Sequence, residues 1–174
     1  LDRKCTLNVG GSARYYAEPA SLAELRDLAK VAKLTGQELS VIGRGSNTFF
    51  VNETFDGLIV RMNHECWRSL EYLGEGRFWL RAGVSARELC RAAQNHAVSG
   101  FNFLEGIPGS IGGAVRMNAG AMGAEIGARV VEIECLRPDG GIERMPADEI
   151  DFTYRDCPTL HDWILVSVLV EGSA

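Results

Sequence analysis

The most informative segment of this sequence lies between residues 106 and 123 and reads Gly106-Ile107-Pro108-Gly109-Ser110-Ile111-Gly112-Gly113-Ala114-Val115-Arg116-Met117-Asn118-Ala119-Gly120-Ala121-Met122-Gly123. Six of the 20 glycines of the chain fall within it, whereas a turn needs only one or two. Two large polar side chains, Arg116 and Asn118, interrupt an otherwise small and apolar context. This composition favours a backbone surface that lies against a large flat ligand. The alternative is a short helix whose glycines only permit close packing on a sheet.

A second glycine-containing motif, Gly43-Arg44-Gly45-Ser46-Asn47, follows a short apolar run that predicts a buried strand. Glycines allow backbone N–H groups to approach a pyrophosphate, and Ser and Asn add hydrogen-bond donors. The motif is not a Rossmann fingerprint, because Thr48 stands where the third glycine belongs and residues 48–51 read as a strand where that fold requires a helix. A tight turn between two strands remains the alternative.

A third motif, Phe152-Thr153-Tyr154-Arg155, places an aromatic side chain beside an arginine. A guanidinium suits a carboxylate or a phosphate because its planar fork donates in parallel to two oxygens; an ordinary surface pair is the alternative. The three histidines stand apart from any serine, cysteine or carboxylate in a hydrolase pattern and are predicted to be structural. They are His64, His96 and His161. The acidic residues show no metal-ligand clustering, so no metal site is predicted.

The composition is that of a globular protein without nucleic-acid or membrane partners. Among the 174 residues, 18 Lys and Arg against 23 Asp and Glu give a net charge of -5, and the basic residues are too scattered to follow a phosphate backbone. The longest apolar run, Trp163 to Val170, is too short to span a bilayer, and no signal peptide opens the chain. Five cysteines without a C-x-x-C pair indicate neither a disulfide framework nor a zinc site. We therefore expect a cytoplasmic protein.

Hydrophobic periodicity and turn residues predict few helices and mostly hairpin-linked strands. Capping boxes beginning at Ser21 and Ser85 predict helices that end at Gly36 and Gly100. The sequence also predicts a turn at residues 52–57, a short helix at 147–150 and strands at 14–18, 39–42, 48–51, 58–62, 78–82, 129–137, 141–145 and 164–170, the last three of them antiparallel.

The polar residues 63–76 lack a clear hydrophobic period and include Gly74-Glu75-Gly76. They indicate a lobe boundary or a hairpin turn. Strand and helix signals on both sides of this stretch predict an α+β fold in two lobes, residues 1–62 and 63–174.

Shorter segments at the start of the chain and at residues 82–83 complete the pattern of motifs. The segments concerned are Thr6–Ala13, Ala17–Pro19, Gly43–Asn47, Ala82–Gly83, Gly106–Gly123 and Phe152–Arg155. In this order they resemble the motifs of the UDP-N-acetylenolpyruvoylglucosamine reductases, also called UDP-N-acetylmuramate dehydrogenases, which are flavoenzymes of peptidoglycan precursor synthesis. The resemblance covers essentially the whole chain.

The resemblance implies a two-lobed FAD-binding fold of the vanillyl-alcohol-oxidase type, with the cofactor pyrophosphate in the cleft between the lobes. FAD would be bound noncovalently, since the Gly43–Asn47 loop contains no histidine for covalent attachment. NADPH would donate a hydride to the flavin, and the enolpyruvyl group of a UDP-sugar would accept it. The implied cofactor-binding residues are Gly43, Arg44, Gly45, Ser46, Asn47, Ala82, Gly83, Ile107, Pro108, Gly109, Ser110, Gly112, Gly113, Arg116, Asn118, Gly120, Ala121 and Gly123.

The resemblance also implies roles for two residues of the third motif. Arg155 would be catalytic, because it would bind and polarise the substrate carboxylate and so stabilise negative charge that develops on the enolate. Tyr154 would contact the substrate. Met122 and Cys157 stand where the family usually has an aromatic residue and a serine, and these departures concern substrate contacts more than flavin binding.

In the family, a serine that protonates the substrate and a glutamate that assists it lie on or beyond a substrate-binding lobe that follows the last strand matched here. This chain stops at Ala174, so we expect the C-terminal substrate-binding lobe to be absent from it and the chain alone to be inactive. The alternative function is a non-enzymatic FAD-binding module without a substrate lobe.

Overall fold

The computed structural model describes residues 1, 4–6, 10–50 and 54–173. Parts of the opening motif at residues 6–13, of the predicted strand at 48–51 and of the predicted turn at 52–57 therefore lie outside the described residues. The described chain forms two main sheets, one parallel and one antiparallel, with helices packed against them. Within these ranges no helix is long and apolar enough to cross a membrane.

The N-terminal elements are strand β1 (Ser12–Ala17), helix α1 (Leu22–Thr35), strand β2 (Glu38–Ile42) and strand β3 (Thr54–Arg61). The three strands form a parallel sheet in the order β1-β3-β2. Helix α1 connects the two outer strands and buries Leu25, Ala29 and Ala32, which repeat at the spacing of one helix face. The predicted strands at residues 14–18, 39–42 and 58–62 all belong to this sheet.

Helix α1 begins and ends at the residues that its capping signals predict. The Ser21 hydroxyl accepts a hydrogen bond from the Glu24 N–H at 3.2 Å, and Gly36 closes the helix with a φ of 65°. The second half of the predicted capping box is shifted by one residue, because the Glu24 carboxylate accepts from the Ala20 N–H at 2.8 Å. The box at Ser21 is therefore only half formed.

Two predictions for residues 48–57 are wrong. Thr48 to Phe50 do not form a strand, and Thr54 to Gly57 form the first half of β3 instead of a turn. Since β3 pairs with β1 on one side and β2 on the other, the sheet has no free position beside it for another strand. Gly57 serves close packing in the sheet, because a Cβ at this position would overlap the Glu38 carbonyl of β2.

The remaining strands are β4 (Leu70–Gly74), β5 (Arg77–Arg81), β6 (Gly120–Ala121), β7 (Ala124–Glu125), β8 (Val130–Leu136), β9 (Ile142–Pro146) and β10 (Ile164–Glu171). Five of them form an antiparallel sheet in the order β4-β5-β10-β8-β9, while β6 and β7 form a separate hairpin. The antiparallel pairing predicted for the last three strands is confirmed. The combination of two sheets and few helices confirms the α+β class.

Residues 63–76 contain a strand, β4, that the sequence reading did not identify. Leu70 and Tyr72 pack against the core, whereas Glu71 and Leu73 between and beside them are exposed. The strand is joined to β5 by the predicted hairpin turn around Glu75, which has a φ of 51°. The division of the chain into lobes at residues 62 and 63 stays a prediction.

Two further helices, α2 (Ala86–Asn95) and α3 (Ile111–Arg116), pack on the antiparallel sheet. The capping box at Ser85 is complete, because the Glu88 N–H donates to Ser85 Oγ at 3.2 Å and the Ser85 N–H donates to the Glu88 carboxylate at 2.7 Å. Helix α2 ends before the predicted end at Gly100, since Ala97 already has a left-handed φ of 55°.

Two hydrophobic cores hold these layers together. The larger core lies between the antiparallel sheet and helices α2 and α3. The smaller core contains residues of α1 and β3 together with Leu136, Ile164 and Val166 from the antiparallel sheet, so it joins the two sheets directly. Trp67 is buried in this second core and donates its indole N–H to the Pro19 carbonyl at 2.8 Å. The sheets therefore pack against each other and leave a cleft along their junction.

Candidate functional site

A cleft of 710 Å³ lies between α1 and β2 on one side and α3 with the ends of β8 and β10 on the other. Several predicted cofactor-binding residues line it: Gly43, Ala82, Ser110, Gly112, Gly113 and Arg116. Polar or aromatic residues that the sequence reading did not select also line it: Lys33, Gln37, Arg137, His161 and Trp163. These residues carried no local signal, since each reaches the cleft only through the packing of distant elements.

Hydrogen bonds hold the predicted segments in place around the cleft. Ser46 Oγ donates to the Pro108 carbonyl at 2.9 Å, which ties the first glycine loop to the second. The N–H groups of Ile111 and Gly112 donate to the carbonyls of Val84 and Ala82 at 2.7 and 2.8 Å. The structure thus brings together three segments that are far apart in sequence, around residues 43–47, 82–84 and 107–113.

The Gly43–Asn47 loop presents unpaired backbone donors. The N–H groups of residues 44 to 47 form no hydrogen bond with any described residue. Gly45 is buried, has a left-handed φ of 72°, and its carbonyl accepts from the Thr6 N–H at 2.9 Å. Successive backbone N–H groups in a bend with a left-handed residue form an anion-binding nest. The loop therefore fits a pyrophosphate.

The side chains of the same loop are arranged differently from its amides. Arg44 and Asn47 are exposed, and neither forms a side-chain hydrogen bond with a described residue.

Gly83, also predicted to contact the cofactor, donates its N–H to the Trp67 carbonyl at 2.8 Å. The Ile107 N–H similarly donates to the Leu104 carbonyl at 3.0 Å. The backbone donors of Gly83 and Ile107 are therefore already used within the protein.

Helix α3 shows that close packing and an open surface both occur in the second glycine segment. A Cβ on Gly112 would lie 2.9 Å from the Ala82 Cβ, so this glycine permits the helix to pack on the chain after β5. On Gly113, a Cβ would have only Ser110 Oγ within 4 Å, at 3.6 Å. Ser110 caps the helix by accepting from the Gly113 N–H at 3.4 Å. Gly113 thus offers the cleft a flat backbone surface.

Asn118 is buried and fully engaged with the protein. Its amide nitrogen donates to Glu125 Oε2 and to the Thr153 carbonyl, both at 2.9 Å, and its amide oxygen accepts from the Gly127 N–H at 3.0 Å. The side chain therefore fastens the β6–β7 hairpin to the Phe152–Arg155 motif. The predicted contact of Asn118 with the cofactor stays a prediction.

A second groove, of 500 Å³, contains five further predicted residues. Gly120, Ala121, Gly123, Tyr154 and Arg155 line it together with Met122 and Arg129, which was not predicted. The groove is bounded by a two-residue turn between β6 and β7, where both turn residues have positive φ, as in a type I′ hairpin. Met122 at the tip of this turn is 98% exposed.

Arg155 is presented at the tip of its own turn. The Thr153 N–H donates to the Asp156 carbonyl at 3.0 Å, and the Asp156 N–H donates to the Thr153 carbonyl at 3.3 Å. Arg155 has a φ of 58° and its guanidinium carbon lies 5.3 Å from the centre of the Tyr154 ring. Within the described chain this guanidinium has no ion-pair partner. It is therefore available to an anion in the groove.

The charged groups between the cleft and the groove form a network around Asp156. Arg116 Nη1 forms an ion pair with Asp156 Oδ1, and His161 Nε2 lies 2.9 Å from Asp156 Oδ2. Hydrogen bonds from His161 and from Arg116 lower the pKa of Asp156 below its usual value. Cys157 follows in the chain but is buried, and burial raises the pKa of its thiol. Among the described residues, no group of His, Cys, Asp and Glu side chains is arranged to hold a metal ion.

Comparison with known proteins gives the class to which this fold and site belong. The FAD binding domain family matches residues 13–146, and the chain belongs to that family. Chitooligosaccharide oxidase has the same fold, with a TM-score of 0.70 and 12% identity over 95% of this chain and 37% of its own. The two-lobed FAD-binding fold of the vanillyl-alcohol-oxidase type, predicted from the resemblance, is confirmed.

Relatives with higher sequence identity show which group of FAD-binding proteins the chain resembles. The chain is 36% identical to the UDP-N-acetylenolpyruvoylglucosamine reductase of Pelobacter propionicus over 89% of its own length and 52% of the relative. The crystal structure of UDP-N-acetylenolpyruvylglucosamine reductase (MurB) from Thermus caldophilus superposes with a TM-score of 0.82 and 28% identity, covering 99% of this chain and 60% of that one. The predicted resemblance to the FAD-binding portion of these reductases is confirmed. The chain spans about half the length of the first relative.

Proposed function

We propose that this chain is the FAD-binding part of a reductase that converts the enolpyruvyl ether of UDP-N-acetylglucosamine to UDP-N-acetylmuramate, a step in the synthesis of peptidoglycan precursors. The observation that carries the proposal is the position of Arg155, an unpaired guanidinium at a turn tethered to the helix that lines the cofactor cleft. A protein that only stored flavin would have no use for a carboxylate-binding cation at this turn.

FAD would be held noncovalently by the two glycine segments. The free N–H groups of residues 44 to 47 would bind its pyrophosphate, and the backbone at Gly113 would lie against the cofactor along the cleft. Ser46 contributes indirectly, because its hydrogen bond to the Pro108 carbonyl keeps the two segments together. The bound flavin would supply two-electron redox chemistry between NADPH and the substrate.

Arg155 would bind the carboxylate of the enolpyruvyl group. Its planar guanidinium donates two parallel hydrogen bonds, so it orients the carboxylate as well as attracting it. As negative charge develops on the substrate during the reaction, the same cation stabilises it. Tyr154, 81% exposed beside Arg155, would pack against the substrate at the mouth of the groove.

A second candidate function is a non-enzymatic FAD-binding module, supported by the match of the FAD binding domain family to residues 13–146. The chain spans 52% of the Pelobacter propionicus enzyme. A module of this kind would bind FAD without turning over the enolpyruvyl substrate. The two functions predict the same cofactor and differ in the reaction.

The experiment that separates them measures two half-reactions anaerobically by stopped flow, in the complete product of the gene. NADPH should reduce the bound flavin, and the enolpyruvyl UDP-sugar should then reoxidise it. A non-enzymatic module would instead bind FAD but fail in the second half-reaction. Reduced flavin that persists in the complete product in the presence of the enolpyruvyl substrate would contradict the proposed reaction.

A further inference from the structure

The Asp156 carboxylate connects elements that serve different parts of the site. One oxygen bonds Arg116, the last residue of α3, and both oxygens lie within reach of His161 Nε2, at 3.1 and 2.9 Å. Arg116 and His161 both line the cofactor cleft. Asp156 itself directly follows Arg155 at the second groove. The Asp156 side chain thus connects two residues that line the cleft to the turn that carries Arg155.

The turn that carries Arg155 is fastened at both of its ends. At Thr153, the carbonyl accepts from the amide of buried Asn118. At Asp156, the carboxylate is held by Arg116 and His161. Tyr154 and Arg155, between these two ends, are exposed and have only each other as ring and cation neighbours among the described residues. The orientation of the Arg155 side chain therefore depends on the contacts that fix Thr153 and Asp156.

We propose that Asp156 is a positioning residue, which fixes the Arg155 turn to helix α3 and so links the cofactor cleft to the orientation of the substrate arginine. The effect of Asp156 on catalysis rests on the function proposed above for Arg155. The contact between helix α3 and the turn does not depend on that function, because it is present whatever Arg155 binds.

The chemistry at this position calls for a carboxylate. Arg116 offers only donors, and the His161 Nε2–H donates to an ionised carboxylate, so the group between them must accept on two sides. An asparagine has one acceptor oxygen and would turn its amide donors toward one of the two partners. The lowered pKa of Asp156, caused by His161 and Arg116, keeps the group in the accepting form. Glutamate would keep the charge while displacing it by one methylene.

Amide hydrogen exchange tests the tether without any enzymatic reaction. In the FAD-loaded chain, Asp156→Asn should speed exchange of the amides of Thr153 and Asp156 at least about tenfold, since those amides are protected by the turn. The matched control is Asp151→Asn, an exposed carboxylate in the same segment that makes no described ion pair, and it should leave these rates unchanged. Asp156→Glu should give an intermediate rate.

Two results in that experiment would overturn the proposal. The first is unchanged exchange at residues 153–156 in Asp156→Asn. The second is an equal acceleration throughout the core, which would assign Asp156 to general stability. If Asp156→Asn does not fold, His161→Ala removes one of the two tethers and leaves the turn sequence intact, and it must then produce the same local acceleration.

A double-mutant cycle in the complete product of the gene tests the catalytic consequence. Asp156→Asn should raise the KM for the enolpyruvyl substrate by about tenfold and change flavin reduction by NADPH less than about twofold. In an Arg155→Lys background, Asp156→Asn should raise this KM little further, because both substitutions act through the same cation. Additive losses would overturn the link to Arg155. A wild-type protein that fails with this substrate would instead contradict the proposed function, while exchange still decides the tether.

Discussion

Arg155 combines an unusual backbone with an unpaired charge. A φ of 58° is uncommon for a residue with a side chain, and such conformations persist where the surroundings fix them. Here the surroundings are the paired backbone of Thr153 and Asp156 and the side chains that hold them. The protein thus keeps a cation at an exposed tip in a conformation that the residue would rarely adopt alone.

Arg155→Lys should separate substrate chemistry from cofactor binding. In the complete product of the gene, the flavin should remain bound and NADPH should reduce it at nearly the wild-type rate. Reoxidation by the enolpyruvyl substrate should slow by about a hundredfold, because lysine replaces a planar two-point donor by a point charge. The matched control is Arg77→Lys, a surface arginine paired with Glu171, which should change neither half-reaction. Equal losses in both half-reactions would assign Arg155 to the fold or the cofactor.

Gly45→Val should weaken FAD binding by at least about tenfold, on the order of 1.4 kcal/mol. Its φ of 72° disfavours a β-branched residue, and a Cβ there would overlap the Lys4 carbonyl, so the loop and its free N–H groups must shift. Gly36→Val is the matched control: it has a similar φ of 65° with nothing within 4 Å of its Cβ, and it lies outside the cofactor loop. The control should lower stability and leave FAD affinity unchanged. Unaltered affinity in Gly45→Val would show that the loop is only a turn.

At the scale of single residues, sequence patterns located the glycine segments but did not show which glycines permit close packing and which leave an open backbone surface. A Cβ on Gly112 would meet Ala82 while the corresponding space at Gly113 is open, and this difference depends on a residue thirty positions away in sequence. Likewise, Asn118 was selected as an isolated polar group, and its partners Glu125, Gly127 and Thr153 become neighbours only in the fold. Local sequence does not contain that information.

The secondary-structure elements show the same division between local and long-range causes. Both predicted helix starts are confirmed, because an N-cap is a contact over three residues. Strand β4 and the extent of β3 were not predicted, since a strand forms where a partner strand is available. For β3 the partners are β1 and β2, which flank it on both sides. Phe49 and Phe50 have the composition of a strand and lack such a partner.

The capping box of α2 yields a pH-dependent prediction. Burial acts to raise the pKa of Glu88, but hydrogen bonds from Ser85 outweigh it and the pKa lies below the usual 4.5. The ionised carboxylate therefore stabilises the folded chain above pH 4.5, and this contribution is lost as the pH falls through the folded pKa. Glu88→Gln keeps a side-chain acceptor but removes the negative charge at the helix N-terminus, so it should lower the free energy of unfolding at neutral pH by about 0.5 kcal/mol.

Urea denaturation across this pH range measures the effect of Glu88→Gln. The difference from wild type should shrink as the pH falls below 4.5, the value of the unfolded group. Glu24→Gln is the comparison in α1, where the box is half formed and the carboxylate bonds Ala20 instead of the N-cap. It should destabilise less at neutral pH. A Glu88→Gln deficit that persists unchanged in acid would contradict the assignment to an ionised carboxylate.

At the scale of the whole molecule, the two sheets are joined by a shared core beside the cleft. Leu136, Ile164 and Val166 of the antiparallel sheet pack with α1 and β3, so the cleft walls are fixed by buried apolar contacts. Gly43, the first residue of the Gly43–Asn47 loop, lines this cleft, whereas Arg155 lines the second groove. The class of fold could be predicted from the motifs, whereas the cleft depends on how the sheets meet.

Amide hydrogen exchange of the 174-residue chain, with and without FAD, tests most directly whether this cleft is the cofactor site. Without FAD, the amides of residues 44 to 47 should exchange rapidly, because they donate to no described residue. With saturating FAD their exchange should slow by at least about tenfold, together with that of residues 107–116, while strand β9 is unaffected. Protection by FAD that is absent from residues 44 to 47, or confined to other parts of the chain, would contradict this account.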